Sequence, residues 1–454
     1  MRGGWPWLVG AVLVAFGAVS IAVGARNALR PEQSQDLAPV FKAARLWLAG
    51  ADPYQRIGLD EWRVETGAAD APDVPNGPDQ STIYSPIAVM DVALVSTASW
   101  LATKRIWLAL NLALALYVPW LLRRLWYDRW PGALTAAAAG LWMGGMGLRI
   151  GLGNGQHALY WLSLILTACA LASSWPRAAG VVLAWSVHKF NLTAIVAPYF
   201  LARRAFLTVA SAVVALAVAL VAFLMWSQAP AAQIVASYAR EFSWLFGQSH
   251  GGTLPGRGVT DLYSILAVLA GDGQVASVLA FVLAAVGLIV TALSTSRADR
   301  QPRDVDLAAW VLLLLWTTYH RAYDTVLLVL PLAVLIDRAW RAGRAWRTWH
   351  RVGPVAALVL LWYVDPSKLY LLVHPTALDR LPADGSLMVI ETIYRLGVLG
   401  CWAYLVAMAA RERGTARDAL VIQASPAGPD KTTGVVCVDS RRRLVPVVAE
   451  GVTA

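Results

Sequence analysis

The chain has 454 residues, 58% of them hydrophobic and 15% charged, with a formal net charge of +10. Soluble domains carry about 45–50% apolar and about 25% charged residues, so an ordinary soluble enzyme is excluded. Disorder is excluded too, because it needs low hydrophobicity and high charge. Cys169, Cys401 and Cys437 are too few and too scattered for a disulfide framework or a zinc site. The positive residues recur between apolar runs instead of forming one nucleic-acid-binding patch, which is how membrane orientation is written in a sequence. The fold class is an all-α polytopic membrane protein.

The first apolar run, near 5–23, is too long for a typical signal-peptide core and shows no convincing cleavage site, so it reads as a membrane helix with a cytoplasmic N-terminus. Only five cations of 38 are lysines, and arginine clusters therefore set the topology. Twelve crossings, near 5–25, 106–122, 132–148, 156–173, 178–188, 190–202, 205–226, 274–296, 305–318, 322–336, 352–366 and 388–410, put every Arg cluster in the cytoplasm. These clusters include Arg123/Arg124/Arg129, Arg203/Arg204 and Arg338/Arg341. The membrane domain spans 1–411. Its first extracytoplasmic loop, 26–105, carries juxtamembrane helices, among them a juxtamembrane or re-entrant run from Pro86 to Leu101. Residues 412–454 read as a loosely ordered cytoplasmic tail.

The fifth and sixth crossings are short and meet at His188-Lys189-Phe190-Asn191, at or just below the outer surface. A broken helix is tolerated there where protein or water surrounds it. One continuous helix over 178–202 is the alternative, and it buries Lys189 at a cost of about 2.5–3.5 kcal/mol.

With this threading the outer face collects Asp36, Asp52, Tyr54, Tyr84, Asn154, Gln156, His188, Lys189, His250, Arg257, His320, Arg321 and Asp324, and five of the six histidines. Few acids beside several cationic or switchable donors suit an anionic ligand such as a phosphate. The set suits a metal less well, since no His-x-x-x-His or paired-carboxylate spacing occurs. Gly151-Leu152-Gly153-Asn154-Gly155 lacks the strand and helix of a nucleotide fingerprint.

Four motifs in order resemble glycosyltransferase family 87, within the GT-C superfamily. They are Asp36-Leu37 with Phe41-Lys42-Ala43-Ala44 and Gly50-Ala51-Asp52-Pro53-Tyr54; Tyr84-Ser85-Pro86 with Trp107 to Asn111; Gly153-Asn154-Gly155-Gln156 with Gly180 and Lys189; and Tyr319-His320-Arg321. The resemblance covers about residues 30–340. It departs at Ser85, where a proline is usual, and at His188-Lys189-Phe190, where Lys-Pro is usual.

The resemblance implies a GT-C-like bundle of about twelve transmembrane helices in the plasma membrane, with an extracytoplasmic active site and both termini cytoplasmic. It implies transfer of a monosaccharide, mannose or arabinofuranose, from a polyprenyl-phosphate donor to a lipid-linked or cell-envelope glycan. The expected partners are that donor, the glycan acceptor and membrane lipids, without nucleic acid. No cofactor is expected, and a divalent metal stays open.

Asp36 is the expected general base; its structural alternative is an N-cap on the helix that follows. Lys189 is expected on the donor phosphate, with His188, His320, Arg321 and Arg257 as further phosphate donors. A snorkelling lysine and a local Arg321–Asp324 pair are the alternatives. Gln156, Asn154, Tyr54, Tyr84, Asp52 and His250 are expected around sugar and acceptor, although Asp52 also suits a turn and the tyrosines suit membrane anchors. A flippase for lipid-linked sugars and a non-catalytic assembly subunit are the competing readings; neither internal repeats nor polar sites reachable from both faces support the first.

Overall fold

The computed structural model describes residues 4–30, 33–67, 82–250, 262, 263, 266, 273–296, 302–317, 322–341, 354, 359 and 396–413. The chain divides into two compact units, Met1–Arg411 and Glu412–Ala454, and of the second only Glu412 and Arg413 are described. Every regular element among the described residues is helical. The order is α1 (Gly4–Ala28), α2 (Leu37–Leu48), α3 (Leu59–Thr66), α4 (Pro86–Ser96), α5 (Trp100–Trp126), α6 (Gly132–Gly144), α7 (Met146–Asn154), α8 (Ala158–Leu171) and α9 (Pro176–Trp185). A 3-10 segment, Ser186–Lys189, leads into α10 (Phe190–Ala202), α11 (Phe206–Trp226), α12 (Ala231–His250), α13 (Gly273–Thr295) and α14 (Asp304–Thr317). A second 3-10 segment, Ala322–Leu328, precedes α15 (Val329–Arg341), and α16 covers 396–413.

Among the described residues five helical stretches are long and apolar enough to cross a membrane: Trp5–Ala28, Trp100–Trp126, Pro176–Ala202, Phe206–Trp226 and Gly273–Thr295. The threading expects twelve crossings; these five coincide with its first, second, fifth with sixth, seventh and eighth. The expected third crossing is divided at Gly145 into α6 and α7, and the fourth and ninth are helices of only 14 residues. The expected crossing at 352–366 lies outside the described residues, apart from positions 354 and 359. On α11, Val213, Val214 and Val218 are each more than 60% exposed. Helices apolar on all sides, with their valines uncovered, match a lipid environment.

Residues 26–105, expected as a loop with juxtamembrane helices, carry α2 to α4 as a packed cap. Ser85 starts α4 by accepting from the Ala88 N–H at 3.4 Å, with Pro86 in the first turn. The apolar face of α2 buries Phe41 against Trp62 and Trp100, and Trp47 stacks on Phe223 of α11 with ring centroids 5.3 Å apart. The Trp47 indole N–H donates to the Phe223 carbonyl, and Arg56 pairs with buried Glu241 of α12. Below this cap a second core joins α5, α8, α9, α10, α14 and α15. On its flank α1 meets α6 closely enough that a Cβ on Gly140 would fall 2.4 Å from the Leu13 backbone, the approach small residues permit between membrane helices.

Two buried ion pairs bracket α10 and α14, which run antiparallel. Arg203, just after α10, meets Asp306 in the first turn of α14 at 3.1 Å. Lys189, just before α10, meets Asp324 beyond the end of α14 at 2.5 Å. At the Arg203 end of α14, Asp304 also accepts from the Tyr127 hydroxyl and pairs with Arg338, and Asp337 accepts from the Trp130 indole. The arginine-bearing ends of α5, α10 and α15 are thus gathered at the start of α14. Lys189 lies about 20 Å away, the rise of thirteen helical residues.

Candidate active site

The site grows from an interruption in the stretch Pro176–Ala202. Pro176 sits in the first turn of α9, where its missing N–H costs nothing. After Trp185 the helix tightens to 3-10 geometry, and Lys189 (φ −110°, ψ 79°) leaves helical geometry altogether. Side chains satisfy the backbone groups this frees. The Ser186 hydroxyl donates to the Leu183 carbonyl at 2.6 Å, and the Thr193 hydroxyl donates to the Ser186 carbonyl at 2.6 Å while accepting from the Trp161 indole at 2.9 Å. Such re-satisfaction is what permits a break at membrane depth. The consequence is that His188 and Lys189 point inward, both buried.

Lys189 Nζ donates to Asp324 Oδ1 at 2.5 Å and reaches Gln156 Oε1 at 3.5 Å. Asp324 is held there because its 3-10 segment packs tightly on α7, where a Cβ on Gly147 would meet the Thr325 hydroxyl at 2.3 Å. Gln156 is 2% exposed, and its Nε2 has no hydrogen-bond partner among the described residues. It follows Gly155, whose φ of +68° ends α7 in the left-handed conformation that glycine adopts without strain.

That same turn carries Asp36. The Asp36 N–H donates to the Asn154 carbonyl at 3.2 Å, the Ser34 N–H donates to the Gly153 carbonyl at 3.2 Å, and a Cβ on Gly155 would fall 2.8 Å from the Leu37 Cβ. The turn Gly153-Asn154-Gly155-Gln156 therefore has the start of α2 on one side and Lys189 on the other. Asp36 precedes α2 as the N-cap alternative foresees, yet its side chain makes no capping hydrogen bond and is partly exposed. Asn154 is partly exposed too.

Other expected residues lie elsewhere or serve the scaffold. Asp52 is 1% exposed and its Oδ1 accepts from the Tyr54 N–H at 2.9 Å, the turn chemistry of its alternative reading. Tyr54 is buried against Phe223 and Tyr238, with its hydroxyl donating to the Tyr84 carbonyl, so it packs the cap and is no pocket wall. Tyr84 is partly exposed and its ring lies 4.8 Å from that of His157. His188 faces Asp91 and His157, not Lys189's partner Asp324. His320, Arg321 and Arg257 lie outside the described residues, as does the side chain of His250 at the end of α12.

Two residues, Asp91 and His157, escaped the sequence reading of the site, and a third, Asp324, was expected there with a different partner. Asp91 accepts from the Trp185 indole at 2.5 Å and from His188 at 3.0 Å. His157 is fully buried beside His188. Asp324, expected near Arg321, is the partner of Lys189. A lone acid inside an otherwise apolar helix was the available signal for Asp91. Among the described residues no group of three His, Cys, Asp or Glu side chains could hold a metal ion.

A family model described as glycosyltransferase family 87 matches residues 82–318, just over half of the chain. The matched span includes Tyr84, Asp91, Gln156, His157, His188 and Lys189, and stops short of Asp36 on one side and of His320 and Asp324 on the other. No curated protein and no solved structure matches the chain.

Proposed function

The chain belongs to glycosyltransferase family 87 and is a membrane glycosyltransferase, and from that premise we propose that it moves mannose or arabinofuranose from a polyprenyl-phosphate donor to a lipid-linked or cell-envelope glycan. The observation that carries this reading is the turn at Gly153–Gln156, which has an acid, Asp36, on one side and a buried ammonium, Lys189, on the other. Glycosyl transfer needs those two groups: a base for the acceptor hydroxyl and a cation for the departing phosphate.

In the reaction Asp36 takes the acceptor's hydroxyl proton as the acceptor oxygen forms a bond to the anomeric carbon. The bond from that carbon to the phosphate oxygen breaks with inversion, and its electron pair leaves with the polyprenyl phosphate. Lys189, oriented by Asp324, neutralises the charge that grows on that oxygen. Gln156 contributes its unpaired Nε2 to the bound sugar, and Asn154 and Tyr84 stand at the partly exposed rim. His320 and Arg321 precede Asp324 closely in sequence and are assigned further cationic charge for the phosphate, as are Arg257 and His250, the last residue of α12.

The arginines support a reading of the side of the membrane. With the cluster at the Arg203 end on the cytoplasmic boundary, Lys189 falls about 20 Å into a hydrocarbon core of about 30 Å. The Lys189 site is then recessed from the extracytoplasmic face of the plasma membrane, at a depth a lipid-borne donor phosphate would approach. The test is Asp36→Asn in membranes, scored for transfer from decaprenyl-phosphate mannose and for donor binding. Lost transfer with retained binding is expected; unchanged transfer removes Asp36 from the mechanism.

A further inference from the structure

Behind the Lys189 site runs a chain of three buried groups that the reaction above leaves unused. Asp91 on α4 contacts His188 Nδ1 at 3.0 Å through Oδ2, and His188 Nε2 contacts His157 Nδ1 at 3.0 Å. All three are buried, and His157 Nε2, at the far end, has no hydrogen-bond partner among the described residues. Asp91 Oδ1 is occupied by the Trp185 indole N–H, which can only donate.

The direction of every bond in this chain is fixed once the histidines are neutral. The carboxylate accepts, so His188 carries its proton on Nδ1 and leaves a lone pair on Nε2. His157 must then donate from Nδ1, which leaves a lone pair on its own Nε2. The free end is therefore an acceptor, enclosed by the rings of Tyr84 at 4.8 Å and Trp107 at 4.6 Å. Of the rings around it only Tyr84 is partly exposed. The preceding residue, Gln156, ends in an unpartnered donor, and its Oε1 accepts from Lys189 Nζ and from the His157 backbone N–H, which places His157 next to the Lys189 site.

A buried acceptor without a partner is costly, and the residue before it in sequence, Gln156, ends in a buried donor that also has none among the described residues. A hydroxyl group can donate to a lone pair, so a sugar hydroxyl complements His157 Nε2, whereas an ionised phosphate oxygen, which only accepts, would not. We propose that His157 Nε2 is a recognition point for a hydroxyl of the transferred sugar, with Asp91 and His188 as positioning residues that hold His157 in its accepting tautomer. This rests on the reading that the bound substrate is a polyprenyl-phosphate sugar.

The decisive variant is Asp91→Asn. Because the indole of Trp185 demands an oxygen, the new amide must turn its N–H toward His188. Each bond then reverses: His188 donates from Nε2, His157 accepts at Nδ1, and His157 Nε2 becomes a donor. An Asp-to-Asn change at the root of such a chain leaves geometry in place and inverts the tautomer.

The experiment uses the full chain in lipid nanodiscs with ¹⁵N-histidine, the His157 signal being assigned through His157→Gln. Without substrate, His157 Nε2 is expected unprotonated in the native chain and protonated in Asp91→Asn. Decaprenyl-phosphate mannose is expected to shift the native Nε2 signal, whereas sugar-free decaprenyl phosphate is not. In transfer assays Asp91→Asn is expected to raise KM for the donor about 10- to 100-fold with kcat changed much less.

A protonated Nε2 in the native chain, an equal shift from the sugar-free lipid, or an unchanged KM in Asp91→Asn would each overturn the inference. A donor that binds and is transferred without moving the His157 signal overturns it while the proposed function stands. A donor that neither binds nor reacts overturns the proposed function and the hydroxyl assignment with it, whereas the tautomer reversal is read without any ligand.

Discussion

Lys189 and Asp324 lie 135 residues apart in sequence and 2.5 Å apart in space, both almost wholly buried. Removing one member of such a pair leaves an uncompensated charge and costs about 3–5 kcal/mol. Lys189→Met and Asp324→Asn should therefore each lower the melting temperature in detergent clearly. The double variant, with neither charge, should recover much of that loss and still fail to transfer sugar. Recovery of transfer together with stability would show that Lys189 serves the scaffold alone.

Asp36 should behave in the opposite way. Its side chain makes no capping hydrogen bond, so Asp36→Asn loses no cap worth about 1 kcal/mol and should lower the melting temperature far less than Lys189→Met. General-base catalysis contributes about 10²–10⁴-fold, and transfer should drop by that range. A large thermal destabilisation would assign Asp36 to the fold.

Gly155 offers a test of the turn between these two groups. An alanine there would occupy the left-handed region and place its Cβ 2.8 Å from that of Leu37. Strain of about 1–2 kcal/mol together with that clash should push the start of α2 off the Asn154 turn. Limited proteolysis should detect cleavage near residues 30–36 in Gly155→Ala and not in the native chain, with transfer reduced in parallel.

Sidedness can be read by single cysteines in a cysteine-free background. Asp36 and Asn154 are partly exposed and Arg204 is exposed. A membrane-impermeant maleimide added to intact cells should label cysteines at 36 and 154, and should label position 204 only after the cells are opened. Gln156 is too buried to serve as a reporter. Labelling of 204 from outside would invert the topology.

The interruption near His188 was readable because an ammonium inside an apolar run must find an anion or water, and the chain resolves it with a 3-10 turn instead of a continuous helix. The turn at Asp52 was readable from local conformational chemistry in the same way. What lay hidden was who meets whom. Asp91 and His188 are separated by 97 residues, and no spacing rule links an acid in α4 to a histidine two helices past α7. Apolar length alone is also a coarse measure of a crossing. Helix α14 is buried along nearly all of its 14 residues, so its apolar character comes from protein neighbours and sets no span length. The juxtamembrane helices were legible, but the packing of α2 to α4 into a cap was not, because Tyr54 looked like a polar rim residue although its ring fills a core.

The Lys189–Asp324 pairing also orders events during synthesis. The lysine enters the membrane with α9 and α10, and its partner is still 135 residues from being made. Until then the translocating chain holds a cation without its counter-ion, so α9 and α10 must wait in an unfinished hairpin that a membrane quality-control protease can recognise. Chains truncated just before residue 324 should be degraded, while those ending beyond α15 should persist, and completion of the catalytic chamber would double as the signal that the bundle has been assembled.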